Sequence, residues 1–112
     1  MVRIFEQGDI IFMDFNPQAG HEQSGRRPAV VVSNHILNRF SSTIMVCPIT
    51  NTNKKHPFHI ALNGKTKTTG VILCDQAKML DVNARHAEYE EALPEDILDE
   101  VLDVLASFIE KI

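Results

Sequence analysis

The sequence predicts a mostly β fold with some helix: a small barrel of short strands, a short helical segment after the second main strand, and an amphipathic C-terminal helix. Three observations predict it. Short runs rich in β-branched and aromatic residues recur along residues 10–81, separated by Gly, Pro and Asn-Gly turn signals, the spacing of a small all-β barrel. Residues 34–40 interrupt that pattern with a stretch long enough for a helical turn only. From Leu93 onward the apolar residues change to helical spacing. With 112 residues, 44% of them hydrophobic, the chain can fill one packed core and not two, so residues 1–112 are read as a single domain.

Each element has its own signal. Gly8-Asp9 opens Ile10–Phe15, which is rich in β-formers, and Asn16-Pro17 closes it as the first strand. A polar loop, 16–27, leads into Ala29–Ser33, a continuous apolar run expected to be a central, buried strand. Asn34 is a good cap for a helical turn through Phe40. Thr43–Thr50 is a third strand, in which Pro48 cannot donate to a ladder and so marks an edge or a bulge. Phe58–Leu62 alternates as a strand, Asn63-Gly64 is a strong turn signal, and Gly70–Gln76 with Lys78–Asp81 reads as a further strand kinked in the middle. In the last element Pro94 stands near the first turn with Glu95 and Asp96 at the positive dipole end. Ile97, Val101, Val104, Leu105, Phe108 and Ile112 then form a wide stripe, one part of which packs on the barrel while the surplus faces a second subunit. Phe40 and Phe58 are expected in the core.

The bulk properties exclude several classes. No apolar run approaches the roughly 18–20 residues needed to cross a bilayer, and the N-terminus has no signal-peptide core, so a cytoplasmic protein is expected. Cys47 and Cys74 lie in apolar stretches, as buried reduced thiols do, and no His/Cys cluster has zinc spacing. The formal charge of −4 hides an asymmetry. Residues 88–112 hold nine acids against Lys111, a net −8, whereas residues 1–87 hold ten Lys/Arg against six Asp/Glu, a net +4. A basic body beside an acidic tail suits polyanion binding by the body; a solvated acidic helix face explains the tail equally well.

The chemistry-bearing residues sit at strand ends and loops: His21, Glu22, Gln23, Arg26, Arg27, Thr50, Asp75 and Gln76. Neighbouring strand ends meet in a small barrel, so these groups converge. Arginine gives a phosphate bidentate donors and stabilises its developing charge; Glu22 or His21 can move a proton at a hydroxyl or a leaving oxygen; Thr50 can donate to a phosphoryl oxygen. Lys54, Lys55 and His56 add a basic run beside Thr50, suited to tracking a nucleic-acid backbone. The plain alternatives are a Glu22 ion pair with Arg26 or Arg27, solvated loop residues at His21, Lys54 and Lys55, and a structural aspartate at Asp75.

Gly8-Asp9 with Asp14, then Gly20-His21-Glu22-Gln23-x-Gly25-x-Arg27-Pro28, Val46-x-Pro48-Ile49-Thr50, Gly70-Val71 and Cys74-Asp75-Gln76 with Leu80-Asp81 follow one another in an order and spacing that resembles the MazF/PemK family of toxin endoribonucleases over roughly residues 8–112. The resemblance implies an SH3-like barrel with a C-terminal helix, a homodimer, and cleavage of single-stranded RNA at a short sequence with no metal or other cofactor. In that reaction a 2′-hydroxyl attacks the adjacent phosphate, leaving a 2′,3′-cyclic phosphate and a 5′-hydroxyl. Carried over, Arg27 stabilises the phosphorane and takes part in proton transfer, Thr50 hydrogen-bonds the scissile phosphate, and Glu22 supports the acid–base step. His21 and Asp75 match residues of the PemK-like branch, and Gln76 and Lys78 match RNA-contacting positions. The implied partner is a cognate antitoxin whose acidic, disordered segment folds onto the basic groove.

One departure stands out. PemK-like relatives carry an arginine two residues before the aspartate of Cys74-Asp75-Gln76, and here that position is Leu73. The burden of catalysis then falls on Arg27 and Thr50. Two other readings stay open: a CcdB-like gyrase inhibitor, a branch with a tryptophan near its C-terminus that this Trp-free chain lacks, and an RNA-binding module without cleavage.

Overall fold

The computed structural model describes residues 3–16, 25–52 and 56–112. A continuous apolar run, Ile10–Met13, builds β1 (Asp9–Asp14), which pairs antiparallel with β2 (Arg26–Val31), Ile10 opposite Val30 and Met13 opposite Arg27. Next come α1 (His35–Phe40), β3 (Ile44–Thr50), β4 (His59–Ala61), β5 (Val71–Leu73), a 3₁₀ turn (Cys74–Gln76), β6 (Lys78–Leu80), β7 (Glu88–Ala92) and α2 (Glu95–Phe108). The seven strands form one antiparallel sheet in the order β4-β5-β3-β2-β1-β7, with β6 on the same flank of β3 as β5. β4 and β7 end the path unpaired with each other, so the fold is barrel-like but open.

Side chains span the opening. Glu91 of β7 accepts hydrogen bonds from the Lys67 and Thr68 N–H groups and from Thr68 Oγ1, at 3.1, 2.8 and 2.8 Å, and Lys65 Nζ lies 2.7 Å from Asp96 of α2. Burial alone would raise the Glu91 carboxyl, but the donors of Thr68 and Lys67 outweigh it and hold the group below its ordinary value.

The period-2 pattern places apolar residues on both faces of the central strands. One core takes Ile10, Val30, Cys47, Ile49 and Ile72, covered by Ile97 and Val101 of α2. The other takes Ile11, Met13, Ala29, Val31 and Val46, covered by Phe5 and Val82. Both cysteines are free and buried, as their apolar setting predicts.

The structure revises several sequence expectations. β2 begins at Arg26 rather than Ala29, because Pro28 holds Arg27 extended and β1 supplies a ladder on that side. β3 is a central strand despite Pro48. Its even-numbered residues face away from β2, since Val32 N–H donates to Met45 O, and Pro48 falls where the partner on that side changes from β6 (Val46 opposite Lys78) to β5 (Ile49 opposite Ile72). Residues 74–76 form a 3₁₀ turn rather than a strand. β7 carries three glutamates in five residues, which hides it from strand propensity; pairing with β1 overrides that preference.

The helices also differ in detail. Asn34 caps α1 as expected, its Oδ1 accepting from Ile36 and Leu37 N–H at 3.1 and 3.3 Å. Asn38, and not Phe40, turns inward: Phe40 is 85% exposed, because a six-residue helix buries only one face. Phe58 is also outside the core, packed edge-on against Phe108 at 4.8 Å. α2 ends at Phe108, so Ile109 and Ile112 lie beyond the buried stripe and are exposed.

Candidate functional site

Arg27 and Thr50 share one face of neighbouring strands at the same end of the sheet. The β2–β3 register runs Val31 opposite Val46, Val30 opposite Cys47 and Ala29 opposite Pro48; two residues further on each strand come Arg27 and Thr50. Alternation puts both on the face of Ala29, Val31 and Val46. Pro28 ends the ladder there: it has no N–H to give β3, and the paired register stops at Ala29–Pro48. The Arg27 and Thr50 positions thus fall on one face just beyond the last paired residues of β2 and β3.

Thr50 is 8% exposed and opposite Val71 of β5. Its Oγ1 accepts from Thr52 N–H at 3.2 Å. Gly70 packs directly against its backbone: a Cβ at Gly70 would sit 2.3 Å from Thr50 O, and φ is +120°. Only glycine meets both requirements.

The same face continues across β5 and β4. Ala61 is opposite Val71, and His59 is opposite Leu73. His59 Nε2 lies 3.1 Å from Asp75 Oδ1, which ties the 3₁₀ turn to β4. Lys78, opposite Val46, also lies on this face and is half-buried, as is Gln76 in the 3₁₀ turn. Leu73 is 2% exposed and belongs to the packed interior.

Arg26 goes to the opposite face. It bonds Asp14 at 3.4 Å, the His86 carbonyl at 2.8 Å and Glu88 at 3.3 Å, and lies over the Phe12 ring at 5.0 Å. The hydrogen bond from His86, reinforced by Arg26, holds the Asp14 carboxyl below its ordinary value. Adjacent arginines on a strand necessarily point to opposite sides, a separation legible once 26–27 is known to be strand and not loop. His21, Glu22, Gln23, Lys54 and Lys55 lie outside the described residues.

Sequence reasoning missed His59. The signal was present in Phe58–Leu62, where alternation sets His59 against Ile60, but its meaning depends on the β4–β5 register that brings Asp75 alongside.

Residues 6–109 match the family model described as PemK-like, MazF-like toxin of type II toxin-antitoxin system. The chain belongs to this family. It is 37% identical to Endoribonuclease PemK of Escherichia coli over 108 residues, spanning 93% of this chain and 81% of that protein. Its fold superposes on the crystal structure of MazF from Deinococcus radiodurans with a TM-score of 0.89 at 37% identity, covering 96% of this chain and 98% of that one. A MazE-MazF crystal structure from the same organism gives a TM-score of 0.84 at 37% identity, with 96% and 97% covered. Membership of the toxin family bears out the fold and family that the motifs implied. No helix among the described residues is long and apolar enough to cross a membrane.

Proposed function

We propose that this chain is a sequence-specific, metal-independent endoribonuclease toxin acting on single-stranded RNA. The observation that supports the proposal is that the Arg27 and Thr50 positions share one face just beyond the end of the β2–β3 pairing, in a family whose relatives are named endoribonucleases. The nucleophile is internal to the substrate. The 2′-oxygen loses its proton and bonds to the adjacent phosphorus, the P–O5′ bond breaks, and the 5′-oxygen takes up a proton. The products are a 2′,3′-cyclic phosphate and a 5′-hydroxyl. Arg27 offers its guanidinium to the phosphorane, where charge accumulates, and Thr50 donates to a phosphoryl oxygen. Glu22, His21 and Asp75 are the candidates for proton transfer, and Gln23, Gln76, Lys54, Lys55 and Lys78 for contacts along the RNA.

The partners follow from the same reading: a second copy of the chain, and an antitoxin whose acidic segment competes with RNA for the cations of this face, as the MazE-MazF complexes of the relatives suggest. The site of action is the cytoplasm, where mRNA is.

Incubation with a long single-stranded RNA in EDTA, followed by end mapping, tests the proposal. Discrete cuts with 5′-hydroxyl ends, lost in a folded Arg27→Ala variant, are expected. Intact RNA with folded, antitoxin-free protein would sink it.

A further inference from the structure

His56, His59 and Asp75 come from three separate places in the fold: the segment before β4, the first residue of β4, and the 3₁₀ turn after β5. One nitrogen of each histidine and one carboxylate oxygen all lie within 4.8 Å of one another. The spacing His56-x-x-His59 is short, and the third ligand arrives sixteen residues later only because His59 pairs with Leu73 across the β4–β5 ladder. That is why the cluster is invisible to a search for zinc spacing along the chain.

We propose that these three residues bind a divalent transition-metal ion, with zinc the best match, at a site that shares Asp75 with the candidates for proton transfer. Two imidazoles and a carboxylate suit zinc, whereas magnesium and calcium favour all-oxygen sets. Three protein ligands leave a fourth position for water. In a tetrahedral zinc site, bonds of about 2.0–2.1 Å place ligand atoms roughly 3.3 Å apart. His59 Nε2 and Asp75 Oδ1, at 3.1 Å, already have that separation. His56 completes the site by a modest ring movement, which its exposure permits. Its ring is stacked on His59 with centroids 4.6 Å apart and planes inclined by 29°, which keeps the two imidazoles beside each other. Ligation through His56 Nε2 leaves Nδ1 protonated and exchanges the exposed 3.2 Å contact from Phe58 N–H for water. Ligation through His59 Nε2 replaces its 3.1 Å contact with Asp75 Oδ1 by bonds from both atoms to the same ion, with the imidazole proton carried on the other ring nitrogen. Occupancy would fasten β4 to the 3₁₀ turn and engage Asp75.

Calorimetric titration of the metal-stripped full chain with zinc, without RNA, tests the inference. One saturable site per chain is expected, with affinity falling by more than the ~10–100-fold typical of losing a mere supporting residue in both His56→Ala and His59→Ala. His56 is exposed, so its variant keeps the fold even if His59→Ala does not; circular dichroism checks both. His86→Ala, which removes an exposed histidine on the Asp14 side, should leave binding intact. Absence of saturable binding, or binding that survives His56→Ala or disappears with His86→Ala, overturns the inference. None of these outcomes depends on whether the chain cleaves RNA.

Discussion

Replacing Gly70 by alanine tests how the fold holds Thr50 in place. The added Cβ would lie 2.3 Å from Thr50 O and 2.8 Å from Thr50 C, both backbone atoms that no rotamer change can move aside. Holding alanine at a φ of +120° costs about 1–3 kcal/mol. Forcing β3 and β5 apart at the end of their ladder adds about 1–3 kcal/mol, as overpacking does elsewhere. Together these give a loss of roughly 2–6 kcal/mol. A chain of 112 residues unfolds with an entropy of roughly 0.24 kcal/mol/K, so the melting temperature should fall by about 8–25 °C. Gly64→Ala is the matched control: φ is +71°, but nothing lies within 4 Å of the added carbon. It carries only the left-handed penalty of about 1–2 kcal/mol, or about 4–8 °C. Thermal denaturation of the two variants beside the wild type, with RNA cleavage assayed well below both transitions, separates the contributions. Gly70→Ala should also lose cleavage while still folded, because the shift is delivered to the Thr50 backbone. Equal melting losses in the two variants would refute the reasoning, since the clash would then contribute nothing.

Asn38→Ala should be among the most damaging changes outside the site. The buried amide donates to Phe5 O at 2.9 Å and Ser33 O at 3.0 Å, and both acceptors lose their donor. A cost of about 2–3 kcal/mol, near 10 °C in melting temperature, is expected, and a fall under about 3 °C would show that water replaces the amide. Acid should unfold the protein from the carboxylate side. Asp14, Glu91 and Asp96 are all held below their ordinary values by hydrogen-bond donors, led by His86, Thr68 and Lys65 respectively, with burial opposing the donors and, at Glu91, forming the largest single influence. A group more acidic when folded contributes its stability fully above its unfolded pKa and loses it as pH falls through the folded one. Melting temperature should therefore change little between about pH 7 and 5 and fall below about pH 4. Asp9, raised by burial, works in the opposite sense; a melting temperature that rises on acidification would mean that it outweighs the other three.

Much of this was legible in the chain, for identifiable reasons. The strands around Ile10, Val30 and Val46 and the helix around Ile97 and Val101 announce themselves because burial enforces a period, and Asn34 because its cap is local. Arg27 and Thr50 were legible as types in a motif. Their adjacency required the β2–β3 register, which no local pattern encodes. β7 was lost because an exposed edge strand need not be apolar, and Phe40 was misplaced because a one-turn helix gives periodicity too little length to choose a face. Arg26 and Arg27 look alike in sequence and are divided by strand geometry alone. His59 gains its meaning from a residue sixteen positions away.

β7 has one further consequence. It ends the sheet among the described residues, and Glu88, Glu90 and Glu91 occupy three of its five positions. A second copy adding its own β7 there would bring two glutamate-rich strands together, and each glutamate opposed to another would cost energy. Growth of the sheet by edge-to-edge stacking is therefore self-limiting at this margin, and association between copies is steered to other surfaces. The carboxylates that disguise the strand in the sequence thus set a boundary on how copies of the chain can join.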